Sequence, residues 1–402
     1  MKIVITNQNK SLVYTMSSIQ SETPKKSLYT TTQIITYMGN KRKLLPIIES
    51  VVTDIQKDLG KNVLKIGDGF SGSGVVSRLL KTYASELHTN DLAGYSTTLN
   101  KCYLDNPTEN AEKTIKKHID KANHLADKNE ENELTDGWIS KHWSPSGSTI
   151  KENDRVYFTD TNGKRIDIMR NYIETIPKKY QSCVLAPLLV ECSIHNNTNG
   201  QFSSYYKGMY GGKTQTDTKR ITQKIHIPYP IFYNSSCKHD VSQMDTNEWA
   251  KKMGNKTELD IVYYDPPYNK HPYNIYYFLL DIICIWDKSV IIPETYRGQP
   301  KNWIRSDFNS TVGAREAIWK LVKDVPAKFV ALSYYSAGIV SVPEIDEMLA
   351  ELGQVERHTI PHSTYKKLYG LGSYKREKEA EPTGCATEYL WVLRKNEYIS
   401  EK

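Results

Sequence analysis

Residues Asn62 to Asp91 read NVLKIGDGFSGSGVVSRLLKTYASELHTND. The opening NVLKI supplies a short apolar strand, DGFSGSG (Asp68 to Gly74) a glycine-rich turn, and VVSRLLKTYA a helix that starts near Gly74. ELHTND is a second strand, after which AGYSTTLNKCYLDNP resumes helical patterning. Strand, turn, helix and strand in that order predict an α/β fold built on a parallel, doubly wound, Rossmann-like sheet.

Such a turn lies where a nucleotide-type ligand approaches the backbone, and glycine there adopts φ values that other residues resist. Asn90 and Asp91 close the next strand about 20 residues later, where a carboxylate can accept hydrogen bonds from a ribose. The pair points to an adenosine-containing ligand. A dinucleotide and S-adenosylmethionine both remain open, although FSGSG departs from the GxGxxG spacing of dinucleotide folds.

Upstream, IITYMGNKRKLLPIIESVVTDIQKDLG (Ile34 to Gly60) reads as a loop and an amphipathic helix stopped by Gly60. Downstream, Glu109 to Asp136 is dense in charge and reads as a solvated helix with its exit. The character changes over 132–235: Trp138, Trp143, a Ser/Pro/Gly cluster, the helices DIMRNYIETI and SCVLAPLLVECSIH, and a polar Asn/Gly/Ser/Tyr/Lys tract suggest an inserted, mainly helical module. Beyond it LDIVYY and KFVALSYYS read as strands, VPEIDEMLAELG as a helix and EYLWVLRK as a final strand. The domain division expected is a polar leader over 1–27, a sheet domain over 28–131 and 236–402, and the insertion.

Composition bounds the function. No stretch approaches the roughly 18 apolar residues of a membrane span; IYYFLLDIICIW (Ile275 to Trp286) comes nearest and Asp281 interrupts it. The polar leader lacks a signal-peptide pattern, which leaves the cytoplasm as the expected location. Six scattered cysteines form no CxxC pair and the histidines show no ligand spacing, so neither a disulfide framework nor a metal is expected. A net charge of +7 permits a polyanionic partner, and tyrosines beside basic residues, as in SSYYKGMYGGK (Ser203 to Lys213), can stack bases and grip phosphates.

YYDPPYNK (Tyr263 to Lys270) follows the strand LDIVYY. Taken alone it fits a tight turn as well as a functional loop. As a functional loop it places the Asp265 carboxylate and a proline carbonyl where both accept from one exocyclic NH₂ group. Pro266 and Pro267, with φ fixed, stiffen the acceptors, and Tyr268 offers a ring for a planar base.

With these residues the chain resembles the alpha-class, Dam-type adenine-N6 DNA methyltransferases. TYMGNKRKLLPII (Thr36 to Ile48) is similar to their YxGxKxxL motif, DGFSGSG to FxGxG, and DPPY (Asp265 to Tyr268) to their catalytic tetrapeptide, in the order of that class with a target-recognition segment inserted before DPPY. Similar segments include Asp154 to Glu174, Cys192 to Gly208 and ALSYYSAGIVSVPEIDEML, so the resemblance spans roughly Leu28 to Lys395. It implies S-adenosylmethionine as methyl donor, with Tyr37, Gly39, Lys41, Asp68, Phe70, Gly72, Gly74, Asp91 and Asp245 at the cofactor or target pocket. The tetrapeptide Asp265, Pro266, Pro267 and Tyr268 would hold a flipped-out adenine. Gly67-Asp68-Gly69 departs from the apolar residue usual before the acid, and Asp240 rivals Asp245 for contact with the cofactor's adenine.

The alternatives are a cytosine-N4 methyltransferase and a non-catalytic DNA-binding subunit that kept the fold. Arg155, Lys164, Arg165, Asn196, Asn199, Lys207 and Lys213 are the expected contacts to double-stranded DNA. A bacterial or phage restriction-modification role, with a cognate endonuclease and a monomeric or weakly dimeric enzyme, follows from the resemblance only.

Overall fold

A computed structural model describes residues 4–6, 24–211, 215–301, 305–361 and 387–399. Within them one sheet holds eight strands: β1 (Val4–Thr6), β2 (Leu64–Asp68), β3 (Ala84–Asp91), β4 (Lys238–Gln243), β5 (Leu259–Tyr264), β6 (Ala327–Tyr335), β7 (Gly353–Pro361) and β8 (Thr387–Lys395). The strand order is β1-β7-β8-β6-β5-β2-β3-β4. Strand β8 runs antiparallel to β6 and β7, and the other pairs are parallel.

Helices α1 (Pro24–Thr31), α2 (Leu45–Leu59), α3 (Val75–Lys81), α4 (Gly94–Tyr103) and α5 (Glu109–Asn129) precede the segment expected as an insertion. That segment contributes α6 (Ile139–Trp143), α7 (Asp160–Thr175), α8 (Lys178–Ile194) and α9 (Gln215–Thr222). The residues after it add α10 (Thr246–Gly254), α11 (Tyr273–Ile285), α12 (Ala314–Asp324) and α13 (Val342–Leu352). The α/β sheet flanked by helices is the fold that NVLKIGDGFSGSG predicts.

Every residue of β5 is buried. Ile261 and Tyr263 join the apolar layer of α2 and α3, whereas Val262 and Tyr264 join that of α10, α12 and α13. A strand covered on both faces reads as an unbroken apolar run, which is why LDIVYY shows no alternation. Helix α2 ends where expected: Gly60 takes a left-handed φ of 63° and its N–H reaches the Gln56 and Lys57 carbonyls.

The helices of 132–235 share one apolar cluster with their neighbours. Trp143, Met169 and Leu188 pack with Leu99 of α4, Ile119 of α5 and Leu279 of α11. Helix α5 is therefore not solvated all round. Ile115, Ile119, Ala122 and Ala126, spaced four, three and four apart, form its buried face while the charges take the other. Asp167, also buried, organises the start of α6 by accepting from the backbone N–H groups of Trp138, Ile139 and Ser140 at 2.9–3.0 Å. Among the described residues no helix is long and apolar enough to cross a membrane, and no group of three or more His, Cys, Asp or Glu side chains is placed to hold a metal.

Candidate active site

Strand register brings the two motifs together. Gly67 of β2 lies opposite Val262 of β5, Asp68 opposite Tyr263, and the Gly69 N–H donates to the Tyr263 carbonyl at 3.0 Å. The glycine-rich turn and DPPY thus leave neighbouring parallel strands side by side. From this pair the sheet continues to β3 on one side and β6 on the other, and ligands of open α/β sheets bind at such a reversal, beyond the carboxyl ends of the strands. A cleft of about 330 Å³ opens there, bordered by both motifs and by Tyr37, Asp91, Asp245 and Asp281.

The turn is locked by its own polar groups. Gly72 has φ +49°, and its N–H donates to Asp91 Oδ2 at 2.7 Å, while Asp91 Oδ1 accepts from the Ala93 N–H at 2.9 Å. Burial raises the Asp91 pKa, opposed by these backbone donors. A Cβ at Gly72 would stand 3.2 Å from Tyr37 Oη, so the glycine also makes room for that ring. Gly74, at φ +75°, opens α3, and Phe70 meets Phe308 edge to face at 5.0 Å.

Asp68 corrects an expectation. It lies beneath the turn, fully buried, with Oδ2 accepting from Ser77 Oγ at 2.6 Å, and it does not border the cleft. Burial raises its pKa to about 7. Asp245 both borders the cleft and caps α10, its Oδ1 accepting from Asn247 and Glu248 N–H at 2.9 and 3.3 Å. Asp240 is elsewhere, paired with Lys256 at 2.9 Å.

On the DPPY side, Asp265 and Pro267 border the cleft and Pro266 is buried. Lys41 Nζ sits 2.9 Å from Asp265 Oδ1 and 3.2 Å from Glu388 Oε1. Burial raises the Asp265 pKa to about 6, with Lys41 opposing and Glu388 adding to the rise. Burial alone would lower Lys41, but the two carboxylates hold it well above the ordinary lysine value. The Ile339 N–H donates to the Tyr268 carbonyl at 3.0 Å and Asn309 Nδ2 to the Asn269 carbonyl at 2.7 Å, which pins the loop. The Tyr268 ring lies 5.4 Å from that of Tyr335. A Cβ on Gly39 would stand 3.2 Å from Tyr268 Oη, so the N-terminal motif and DPPY touch. Tyr37 stacks on Tyr277 and Tyr273 at 4.8 and 5.4 Å.

The model of the D12 class N6 adenine-specific DNA methyltransferases matches residues 37–321, more than half of the chain. The chain belongs to this family. It is similar to the Type II methyltransferase M.NlaIII of Neisseria lactamica, 28% identical over 367 residues that span 89% of this chain and 99% of the relative. It is also similar to the Type II methyltransferase M.CviAII of Paramecium bursaria Chlorella virus 1, 27% identical over 339 residues, 83% of this chain and 93% of the relative. The modification methylase StsI of Streptococcus sanguinis is 26% identical over 360 residues, 85% of this chain and 52% of the relative. The chain is therefore an adenine-N6 DNA methyltransferase, and the cytosine-N4 and non-catalytic alternatives are not favoured.

Two acids of this methyltransferase's cleft region carry no motif. Asp281, seen in the sequence only as the break in an apolar run, projects from α11 and accepts from the Tyr95 N–H at 3.1 Å. Burial raises its pKa to about 7. Glu388 gave no local signal, because its partner Lys41 is remote in sequence. Asp91, Asp245, Asp265 and Asp281 together make the cleft acidic, a setting that suits a small ligand bearing positive charge and hydroxyl groups.

The residues expected at DNA fare unevenly. Arg165 is 1% exposed, donating to the Ile225 carbonyl at 2.7 Å and paired with Asp127 and Glu130. Asn196 is equally buried, its Nδ2 on the Cys192 carbonyl at 2.8 Å. Both are packing residues of the methyltransferase and leave the contact set. Arg155 ties the segment after α11 to residues 132–235 through the Pro293 and Thr295 carbonyls at 2.8 and 3.0 Å. Lys164 pairs with Asp160 at 3.0 Å. Asn199 and Lys207 are exposed, Lys207 Nζ lying 4.3 Å from the Tyr296 ring centroid. Lys213 lies outside the described residues.

Proposed function

We propose that the chain binds S-adenosylmethionine in this cleft and methylates a specific site in double-stranded DNA as the modification enzyme of a restriction-modification system. The observation that carries the reading is the β2–β5 register, which sets the DGFSGSG turn and DPPY at one acidic cleft. The residues fit the donor: Gly72 clears backbone space, Asp91 stands at the end of β3 for a ribose, and the surrounding carboxylates match a cation. When bound, S-adenosylmethionine supplies an electrophilic methyl group on its sulfonium.

The target adenine leaves the base stack, since its amine is unreachable inside the duplex. Asp265 and the Pro266 carbonyl accept the two N6 hydrogens, and Tyr268 stacks on the ring. Those acceptors oppose delocalisation of the nitrogen lone pair and stabilise charge that develops on N6. The segment 132–235 serves as the target-recognition domain, and a cognate endonuclease acts on the same site. The enzyme works in the cytoplasm as a monomer or weak dimer.

Nucleoside analysis of DNA incubated with the chain and S-adenosylmethionine tests this. N6-methyldeoxyadenosine confined to one sequence context is the expected product. N4-methyldeoxycytidine, or no methylated base on any DNA, would overturn the proposal.

A further inference from the structure

We infer that Glu388 is a positioning residue for methyl transfer, acting through Lys41 on Asp265; the inference rests on the role proposed for Asp265. Lys41 carries a flexible stem whose ammonium can turn its three donors several ways. Here it is 5% exposed and held between two carboxylates, 2.9 Å from Asp265 Oδ1 and 3.2 Å from Glu388 Oε1. Those two anchors differ in rigidity. Asp265 belongs to a loop, whereas Glu388 sits on β8, 4% exposed, across from Tyr335 of β6, and accepts from Ser333 Oγ at 2.8 Å. The strand-bound carboxylate therefore anchors the ammonium, and the ammonium pairs with Oδ1 of Asp265, which leaves Oδ2 for the amine.

A single lysine facing a single aspartate would leave that orientation loose, and small misplacements of a reacting group cost up to about 10²-fold in rate. Besides Lys41 and Glu388, titratable groups that act on Asp265 include Tyr263 of β5, Asp68 at the end of β2 and Tyr273 of α11. Removing the Glu388 charge lowers the Asp265 pKa, and removing the Lys41 charge raises it.

The test compares the full-length parent with Glu388→Gln, which keeps size and the bond to Ser333 but not the charge. Labelled-methyl transfer to DNA is followed against pH, together with S-adenosylhomocysteine affinity and thermal stability. The expected result is a kcat lower by roughly tenfold or more, unchanged S-adenosylhomocysteine binding, and an acid limb of the rate profile moved to lower pH. Lys41→Met moves that limb to higher pH. Parental kcat and limb in Glu388→Gln, or a loss that only follows the folded fraction with the limb unmoved, would overturn the inference. Should Glu388→Gln not fold, Ser333→Ala loosens Glu388 in place and must also lower kcat; a parental kcat there refutes the role. Activity retained by Asp265→Ala would instead refute the underlying role of Asp265.

Discussion

The backbone N–H of Gly72 donates to Asp91 Oδ2 at 2.7 Å, so the turn after β2 is fastened to the end of β3 by one carboxylate. The same side chain holds the Ala93 N–H, and its loss frees both loops. Asp91→Ala is expected to lower stability by about 1.5–3 kcal/mol, the usual worth of hydrogen bonds to a charged group. It is also expected to weaken S-adenosylhomocysteine binding at least roughly tenfold, because the proposed ribose acceptor goes with it. Denaturant unfolding and calorimetry check the two effects; parental affinity would remove Asp91 from the cofactor site.

Tyr277 of α11 accepts the Met38 N–H on its hydroxyl at 2.6 Å and stacks on Tyr37. This bond ties the N-terminal motif to the helix that follows DPPY. Tyr277→Phe keeps the ring but leaves a backbone donor unpaired, at a cost of about 1–3 kcal/mol. Chemical denaturation of the variant and the parent measures it, and equal midpoints would show that the bond contributes nothing.

A cationic donor placed among Asp91, Asp265 and Asp281 favours their ionised forms. Without it burial holds Asp265 at about 6 and Asp281 at about 7, so binding in this range lowers both pKa values and releases protons. Affinity for S-adenosylmethionine is therefore expected to rise from pH 5 to pH 7, with proton release visible in calorimetry as a dependence of the observed heat on buffer. A flat pH profile would contradict the acidic-cleft account.

Much of this was legible because it is local. NVLKIGDGFSGSG shows strand, turn and helix within a few residues, and LDIVYY is apolar because β5 is covered on both faces. Among the described residues strand β4 (KHDVSQ) pairs on one side only, and β7 (GQVERHTIP) carries charge, so neither shows an apolar pattern. That DPPY lies beside the glycine-rich turn follows from the β2–β5 register, which joins segments far apart in the chain. The same holds for the Lys41–Glu388 pair. Arg165 looked like a DNA-binding residue because its charge is visible in the sequence and its buried partners Asp127 and Glu130 are not.

Lys207 is exposed and projects over Tyr296. Neutralising Lys207 and Lys213 together is expected to reduce the slope of log affinity against log salt by up to about 1.8, at about 0.9 for each phosphate that no longer meets a cation. Filter binding over a salt series reads the slope, and an unchanged value would remove both lysines from the DNA interface.

Asp265→Ala tests the central claim most directly, in a single-turnover assay of labelled-methyl transfer to DNA with S-adenosylhomocysteine affinity measured alongside. A transfer rate reduced by about 10²-fold or more, with the cofactor still bound, is predicted. Transfer at the parental rate would contradict the account.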